Sequence, residues 1–384
     1  MTADAPTGGP ASPAGLVVDL ALPGRISAAF RAQPGERIAV VGPNGSGKSS
    51  LLRAVAGTAP GWVSWSGREW TRLPPQQRSV GLVHQDHQLF PHLSVLENVA
   101  FGPRAAGVPR RQARALARDW LERLDIGEYA DRRPDRLSGG QAQRVAIARA
   151  LANEPDVLLF DEPFAALDVA VAMDLRELLA EHLRDHRGVV LLATHEALDV
   201  HALADRVVVL EQGRVAQDAA PSRVAEAPAT VHAARLLGLN VLRGVASADG
   251  AVVLSGGGTV HTSAVAVGPV LAAFAPATVT LAGERPTGSA RNAWPARVLG
   301  VATGSGERAG VTRVHLDVEA LGTHDLHADI TGPSVAQLGI RRGAEVWASV
   351  KATEVTVFRL PQARSTTGAA GGAQGVDRPI NSGA

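Results

Sequence analysis

Gly42-Pro43-Asn44-Gly45-Ser46-Gly47-Lys48-Ser49 concentrates more chemistry than any other stretch of this 384-residue chain. Three glycines let the backbone curl until several N–H groups face one point, which makes a cradle for an anion. The spacing Gly-x-x-x-x-Gly-Lys-Ser marks a phosphate-binding loop when a strand leads in and a helix leads out. Arg37–Val41 reads as that buried strand, and Lys48–Ala56, with Ser50 in its first turn, as that helix. Lys48 is then placed for β- and γ-phosphates and Ser49 for Mg²⁺. Lysine is scarce here: of 38 basic residues only Lys48 and Lys351 are lysines, where about twenty would be ordinary. A compact ammonium on a thin stem fits where a planar guanidinium does not, so both survivors mark candidate sites.

A phosphate loop needs an acid at the end of a neighbouring strand. Val157-Leu158-Leu159-Phe160-Asp161-Glu162 supplies two carboxylates at the carboxyl end of an apolar run, where open α/β sheets bind ligands. Asp161 is the expected Mg²⁺ partner, and Glu162 can orient and deprotonate an attacking water, so the implied reaction is hydrolysis. Leu137-Ser138-Gly139-Gly140-Gln141 opens a second strong helix and forms a second anion cradle. One site does not need two cradles. A head-to-tail dimer does, each copy completing its partner's site.

The elements that position these residues change character near residue 240. Before it, Val/Leu-rich runs such as Val189–Ala193 and Val207–Leu210 alternate with helical stretches, which implies a mainly parallel, doubly wound sheet. Val207–Leu210 and Val215–Gln217 flank a turn and read as a hairpin, and Arg110–Leu124 as an arginine-rich amphipathic helix. After it, short Val-rich strands separated by glycine turns predict a small all-β module or a pair of them, and no further helical periodicity. Val270–Ala275 then Val279 resembles Val346–Lys351 then Val355, a weak internal repeat in which the first copy has Ala275 at the position of Lys351. Met1–Gly15 has neither basic start nor apolar core, so it is no secretory signal. No apolar run reaches the roughly 18 residues of a membrane span. The absence of cysteine excludes disulfides and thiolate metal sites, and a net charge of +1 gives no footprint for nucleic acid.

Six motifs in one order resemble the ATP-binding-cassette (ABC) ATPases over residues 15–238. Gly42–Ser49 is similar to Walker A, Gln85 to the Q-loop glutamine, Leu137–Gln141 to the signature, and Val157–Glu162 to Walker B. Asp168 in Ala166-Leu167-Asp168 resembles the D-loop, and His195 in Ala193-Thr194-His195-Glu196 the switch histidine. The resemblance implies an α/β P-loop nucleotide-binding domain with a helical subdomain, ATP and Mg²⁺ as ligands, a homodimer, and Glu162, His195 and Gln85 as catalytic. Two departures stand out. Leu16–Ile26 lacks the aromatic residue that commonly stacks on adenine, and Ala165-Ala166 stands where a serine is frequent.

Leu89–Val95, after Gln85, resembles the surface on which importer ATPases receive a permease helix. The tail resembles a molybdate-binding, OB-fold-like β module (MOP/TOBE type) over residues 288–360. By position Ser289, Arg291 and Lys351 become its oxyanion ligands. These resemblances imply a peripheral subunit on the cytoplasmic face of the membrane, working with a permease and, indirectly, an external substrate-binding protein. The expected organisation is a disordered tail to residue 14, the ATPase domain at 15–238, a degenerate β module or linker at 239–287, the oxyanion module at 288–360 and a disordered tail at 361–384. The function these resemblances imply is ATP-driven import of molybdate, or of tungstate; sulfate, iron, a polyamine or a sugar are alternative cargoes, and a soluble ABC ATPase that remodels a macromolecule is the alternative function.

Overall fold

The computed structural model describes residues 15–22, 26–288, 290–303 and 310–359; the two expected disordered tails and Ser289 lie outside them.

The first part of the chain builds one ten-stranded sheet. β1 (Leu16–Leu22) and β2 (Ile26–Ala32) pair antiparallel, each with one buried face. β3 (Arg37–Val41) leads into the glycine loop, which opens α1 (Lys48–Ala56). β4 (Trp62–Trp65) and β5 (Arg68–Glu69) extend the flank outward from β1. β6 (Val80–Val83), β7 (Val157–Asp161), β8 (Val189–Ala193) and β9 (Arg206–Glu211) form the parallel half with β3, in the order β9-β3-β8-β7-β6. β10 (Arg214–Ala219) folds back on β9 as the expected hairpin.

The parallel strands are apolar on both faces because both are covered. From β7, Leu158 and Phe160 face the helical subdomain, while Val157 and Leu159 face α1 and the β1–β2 layer. That subdomain comprises α2 (Val95–Ala105), α3 (Arg110–Arg123) and α4 (Gly139–Leu151), with α5 (Val169–Arg184) packed beside it. On α3 the buried residues are Ala113, Ala117 and Leu121, one narrow stripe, so its arginines stay outside. α6 (Ala197–Leu203), α7 (Pro221–Glu226) and α8 (Val231–Leu236) cover the sheet near β3 and β9.

Beyond residue 239 the chain forms two five-stranded antiparallel sheets around a single core. β11 (Asn240–Ala246), β12 (Ala251–Leu254), β13 (Thr259–His261) and β14 (Gly268–Phe274) make up most of one. β16 (Asn292–Thr303), β17 (Val311–Val318), β18 (Thr323–Thr331) and β19 (Glu345–Val350) make up most of the other. The fifth strands are exchanged. β15 (Thr280–Ala282), from the first copy, pairs with β19, and β20 (Thr356–Arg359), from the second, pairs with β14. The weak repeat thus corresponds to two interlocked copies, and residues 239–287 are not a linker. One short helix, α9 (Gly332–Gln337), interrupts a region expected to have none.

Two asparagines pin the copies together with matching geometry. Asn240, the first residue of β11, both donates to and accepts from the His327 backbone, at 2.9 and 2.7 Å. Asn292, the first residue of β16, does the same to His261, at 2.9 and 2.7 Å. Both side chains are buried, so each satisfies its own amide and one peptide of the other copy.

Candidate functional site

The carboxyl ends of β3, β7 and β8 meet at the glycine loop. Gly45 and Gly47 have φ of 79° and 106°, in the left-handed region that lets the loop turn back into α1. Lys48 folds over this loop, donating from Nζ to the Gly42 carbonyl at 2.8 Å and to that of Pro43 at 3.4 Å. Burial lowers its pKa, while the charges of Glu162 and Asp161 act the other way. The Ser46 hydroxyl is buried and unpartnered. Ser49 Oγ donates to Asp161 Oδ1 at 3.1 Å.

Glu162 follows Asp161 with φ of 50°, a conformation that costs a non-glycine residue roughly 1–2 kcal/mol. Its N–H donates to the Ala193 carbonyl at 3.0 Å, which ties the end of β7 to the end of β8. Its carboxylate lies 3.4 Å from His195 Nδ1. The resulting cleft, of about 590 Å³, is lined by Asn44, Gly45, Gly47, Lys48, Ser49, Ser50, Arg53 and Glu162.

A buried network holds the switch segment. The Thr194 hydroxyl donates to Asp199, and Arg176 of α5 donates to Asp199 at 2.7 Å and to Glu196 at 3.2 Å. Arg176 also lies over the Phe164 ring, 4.9 Å from its centroid, so one guanidinium joins the segment after Glu162 to the segment around His195. Side-chain exposure is 7% for Arg176 and 3% for Asp199, and removing one member of so buried a pair strands the other charge. Arg176→Ala is expected to cost about 3–5 kcal/mol of stability, read as a lowered midpoint in urea unfolding. An unchanged midpoint would show that water reaches Asp199.

The other predicted residues lie apart from this cluster. Gln85 emerges at the same sheet edge as Asp161, because Val83 is in register with Phe160, and it is exposed. Arg149 of α4 donates to the His87 and Gln88 carbonyls at 2.9 and 2.7 Å, linking the segment after Gln85 to the helix of the Ser138 cradle. Ser138 and Gln141 form a capping box: Ser138 Oγ accepts from the Gln141 N–H and Gln141 Oε1 from the Ser138 N–H. A side chain at Gly140 would run into Val171 at 2.6 Å, whose N–H is in turn capped by Asp168 at 3.0 Å. The signature and Asp168 are therefore neighbours, and neither lines the cleft.

Ser49 and Asp161 offer hard oxygen donors, which suit Mg²⁺, an ion that completes its shell with waters and phosphate oxygens. No group of three or more His, Asp or Glu among the described residues could hold a metal unaided. Sequence reasoning missed Arg176, Asp199 and Arg149. For Arg176 a signal existed: it lies on the buried stripe of α5 with Ala172, Leu175, Leu179 and Leu183, where an arginine needs a reason.

Residues 27–165 match the ABC transporter family and residues 288–357 match the TOBE domain. The molybdenum import ATP-binding protein ModC of Mycobacterium tuberculosis is 39% identical over 361 residues, covering 89% of this chain and 96% of that protein. The chain belongs to the ATP-binding subunits of ABC transporters. As a member of that family it binds and hydrolyses ATP. Another relative of this ABC subunit is the molybdate/tungstate import ATP-binding protein WtpC of Pyrococcus horikoshii, 35% identical over 86% of this chain and 94% of that protein. The Fe(3+) ions import ATP-binding protein FbpC of Streptomyces coelicolor is 46% identical, but over 53% of this chain and 59% of its own.

Proposed function

We propose that this chain is the ATP-hydrolysing subunit of an importer for molybdate, and for tungstate by the same chemistry, acting with a separate membrane permease. One observation carries the cargo. The molybdenum and molybdate/tungstate relatives run through the C-terminal sheets, whereas the iron relative covers 53% of the chain.

In this reading Gly42–Ser50 cradle the phosphates, and Lys48 leaves the Gly42 carbonyl to meet the β- and γ-oxygens. Ser49, Asp161 and Gln85 hold Mg²⁺, which neutralises phosphate charge when bound. Glu162 orients and deprotonates the water, and His195 contacts the terminal phosphate. Ser138–Gln141 and Asp168 complete the site of a second copy, so ATP closes a homodimer. The capping box engages the Ser138 and Gln141 N–H groups, and those of Gly139 and Gly140, which a helix start leaves without an intrahelical acceptor, serve this role.

The permease docks on Leu89–Val95. There Phe90 lies 4.5 Å from Phe101, which is 46% exposed, and Asn98 pins the loop through the Phe90 N–H and the Phe90, Leu93 and Ser94 carbonyls. The subunit is peripheral, at the cytoplasmic face; no helix among the described residues is long and apolar enough to cross a membrane. An external binding protein delivers cargo to the permease, and nucleic acid plays no part.

Arg291 and Lys351 hold the oxyanion. They lie at one end of the second sheet, each one residue past the paired Asn292 and Val350, and both are exposed. Oxyanion bound there holds the ATPase dimer open, which needs higher affinity for the open state. Calorimetry on the full chain tests the cargo. Molybdate and tungstate should bind, and Lys351→Ala should weaken them by about tenfold or more, the worth of a charge-assisted hydrogen bond. Absence of heat with both oxyanions would rule out oxyanion binding at the C-terminal sheets. An ATPase rate of the reconstituted transporter that ignored millimolar molybdate would remove the feedback.

A further inference from the structure

His232 lies outside every motif, on the helix that joins the ATPase region to the C-terminal sheets. Its Nε2 is buried and has no hydrogen-bond partner. A buried polar atom without a partner calls for an explanation, and here its surroundings supply one. Ala233, the next residue, shares one apolar cluster with Val41, which precedes Gly42, and with Val200, in the helix that follows His195. α8 is therefore seated against both the strand that feeds the phosphate loop and the helix that carries on from the switch histidine. Its first turn is fixed, since the buried Thr230 hydroxyl accepts from the Ala233 N–H at 3.0 Å.

A side chain needed only to fill space here would be apolar, as Ala233, Leu236 and Leu237 are. His232 instead places an imidazole there, and its burial first, then the neighbouring Lys48, His195 and Arg235, lower its pKa. One turn further on, Arg235 reaches Asp325 of β18 at 3.8 Å, so the same short helix also touches the second C-terminal sheet.

We propose that His232 is a positioning residue of the ATP site, orienting His195 and Lys48 around the bound triphosphate through its Nε2, and that α8 makes this orientation depend on where the C-terminal sheets sit. The nucleotide adds anionic oxygens and ordered water beside Lys48 and His195, and these give Nε2 the partner it lacks. The inference rests on reading Lys48 and His195 as nucleotide ligands.

Three variants of the full chain test it. His232→Phe fills the space without a polar atom, whereas His232→Gln keeps a donor and an acceptor. We expect His232→Phe to lower kcat for ATP about tenfold with KM changed less than threefold, and His232→Gln to stay within threefold of the wild-type kcat. His232→Phe at the wild-type rate, or both variants losing equally, would overturn the proposal. If His232→Phe does not fold, as judged by thermal melting, His232→Ala against His232→Gln gives the same contrast. His195→Ala separates the two readings. A normal rate in that variant sinks the role given to His195, whereas a normal rate in His232→Phe beside an inactive His195→Ala sinks the role given to His232.

Discussion

Glu162→Gln is expected to leave ATP binding intact and to cut hydrolysis by at least about 10²-fold, the lower end of what a positioned general base contributes. The substitution is nearly isosteric and keeps every backbone feature that places the side chain. The residue still sits at φ of 50° with its N–H on the Ala193 carbonyl. Asp161 and its contact with Ser49 are untouched. What disappears is the ability to take a proton from water. Bound ATP then persists, and the dimer that it closes should accumulate in size-exclusion runs made with nucleotide. Phosphate release and the binding of a fluorescent nucleotide separate the two effects. A variant that retained a tenth or more of the wild-type rate would move the base elsewhere, with His195, 3.4 Å away, the first candidate.

Lys48→Arg preserves the charge and should still abolish turnover, with a loss of about 10²–10³-fold, comparable to removing one preorganised donor to a developing anion. Lys48 is 6% exposed, and its Nζ is close to the carbonyls of both Gly42 and Pro43. A planar guanidinium is bulkier than an ammonium and brings five N–H groups to a buried position where Nζ meets two carbonyls. In a chain that uses arginine almost everywhere else, the outcome measures shape rather than charge. Steady-state ATPase and nucleotide affinity would report it, and wild-type turnover in Lys48→Arg would mean that the lysine acts only as a distant cation.

The elements that carry the candidate site were legible because their signals are local. The glycine loop, the apolar run ending in Asp161-Glu162 and the Val-rich strand before His195 each carry their meaning within a few residues. The antiparallel β1, β2 and β4 layer was less visible, since alternation over seven residues does not say which sheet it joins. Arg176 and Asp199 escaped notice because their pairing spans two elements and no motif. His232 escaped because its significance depends on what α8 packs against. The C-terminal repeat was visible as similarity between two runs, but similarity does not tell which sheet accepts the last strand of each copy. Asn240, whose partner lies in the opposite copy, gave no local signal at all.

The exchange of β15 and β20 bears on how this chain is made. Synthesis proceeds from the amino terminus, so β11 to β14 emerge while β14 still has an open edge awaiting β20, the last described strand. An open edge of this kind invites pairing with other chains until it is covered. The C-terminal body is thus completed late, and the loss of a few residues near Thr356 would expose an edge in the first sheet as well as shorten the second copy. A boundary drawn between residues 287 and 288 would separate each sheet from one of its own strands.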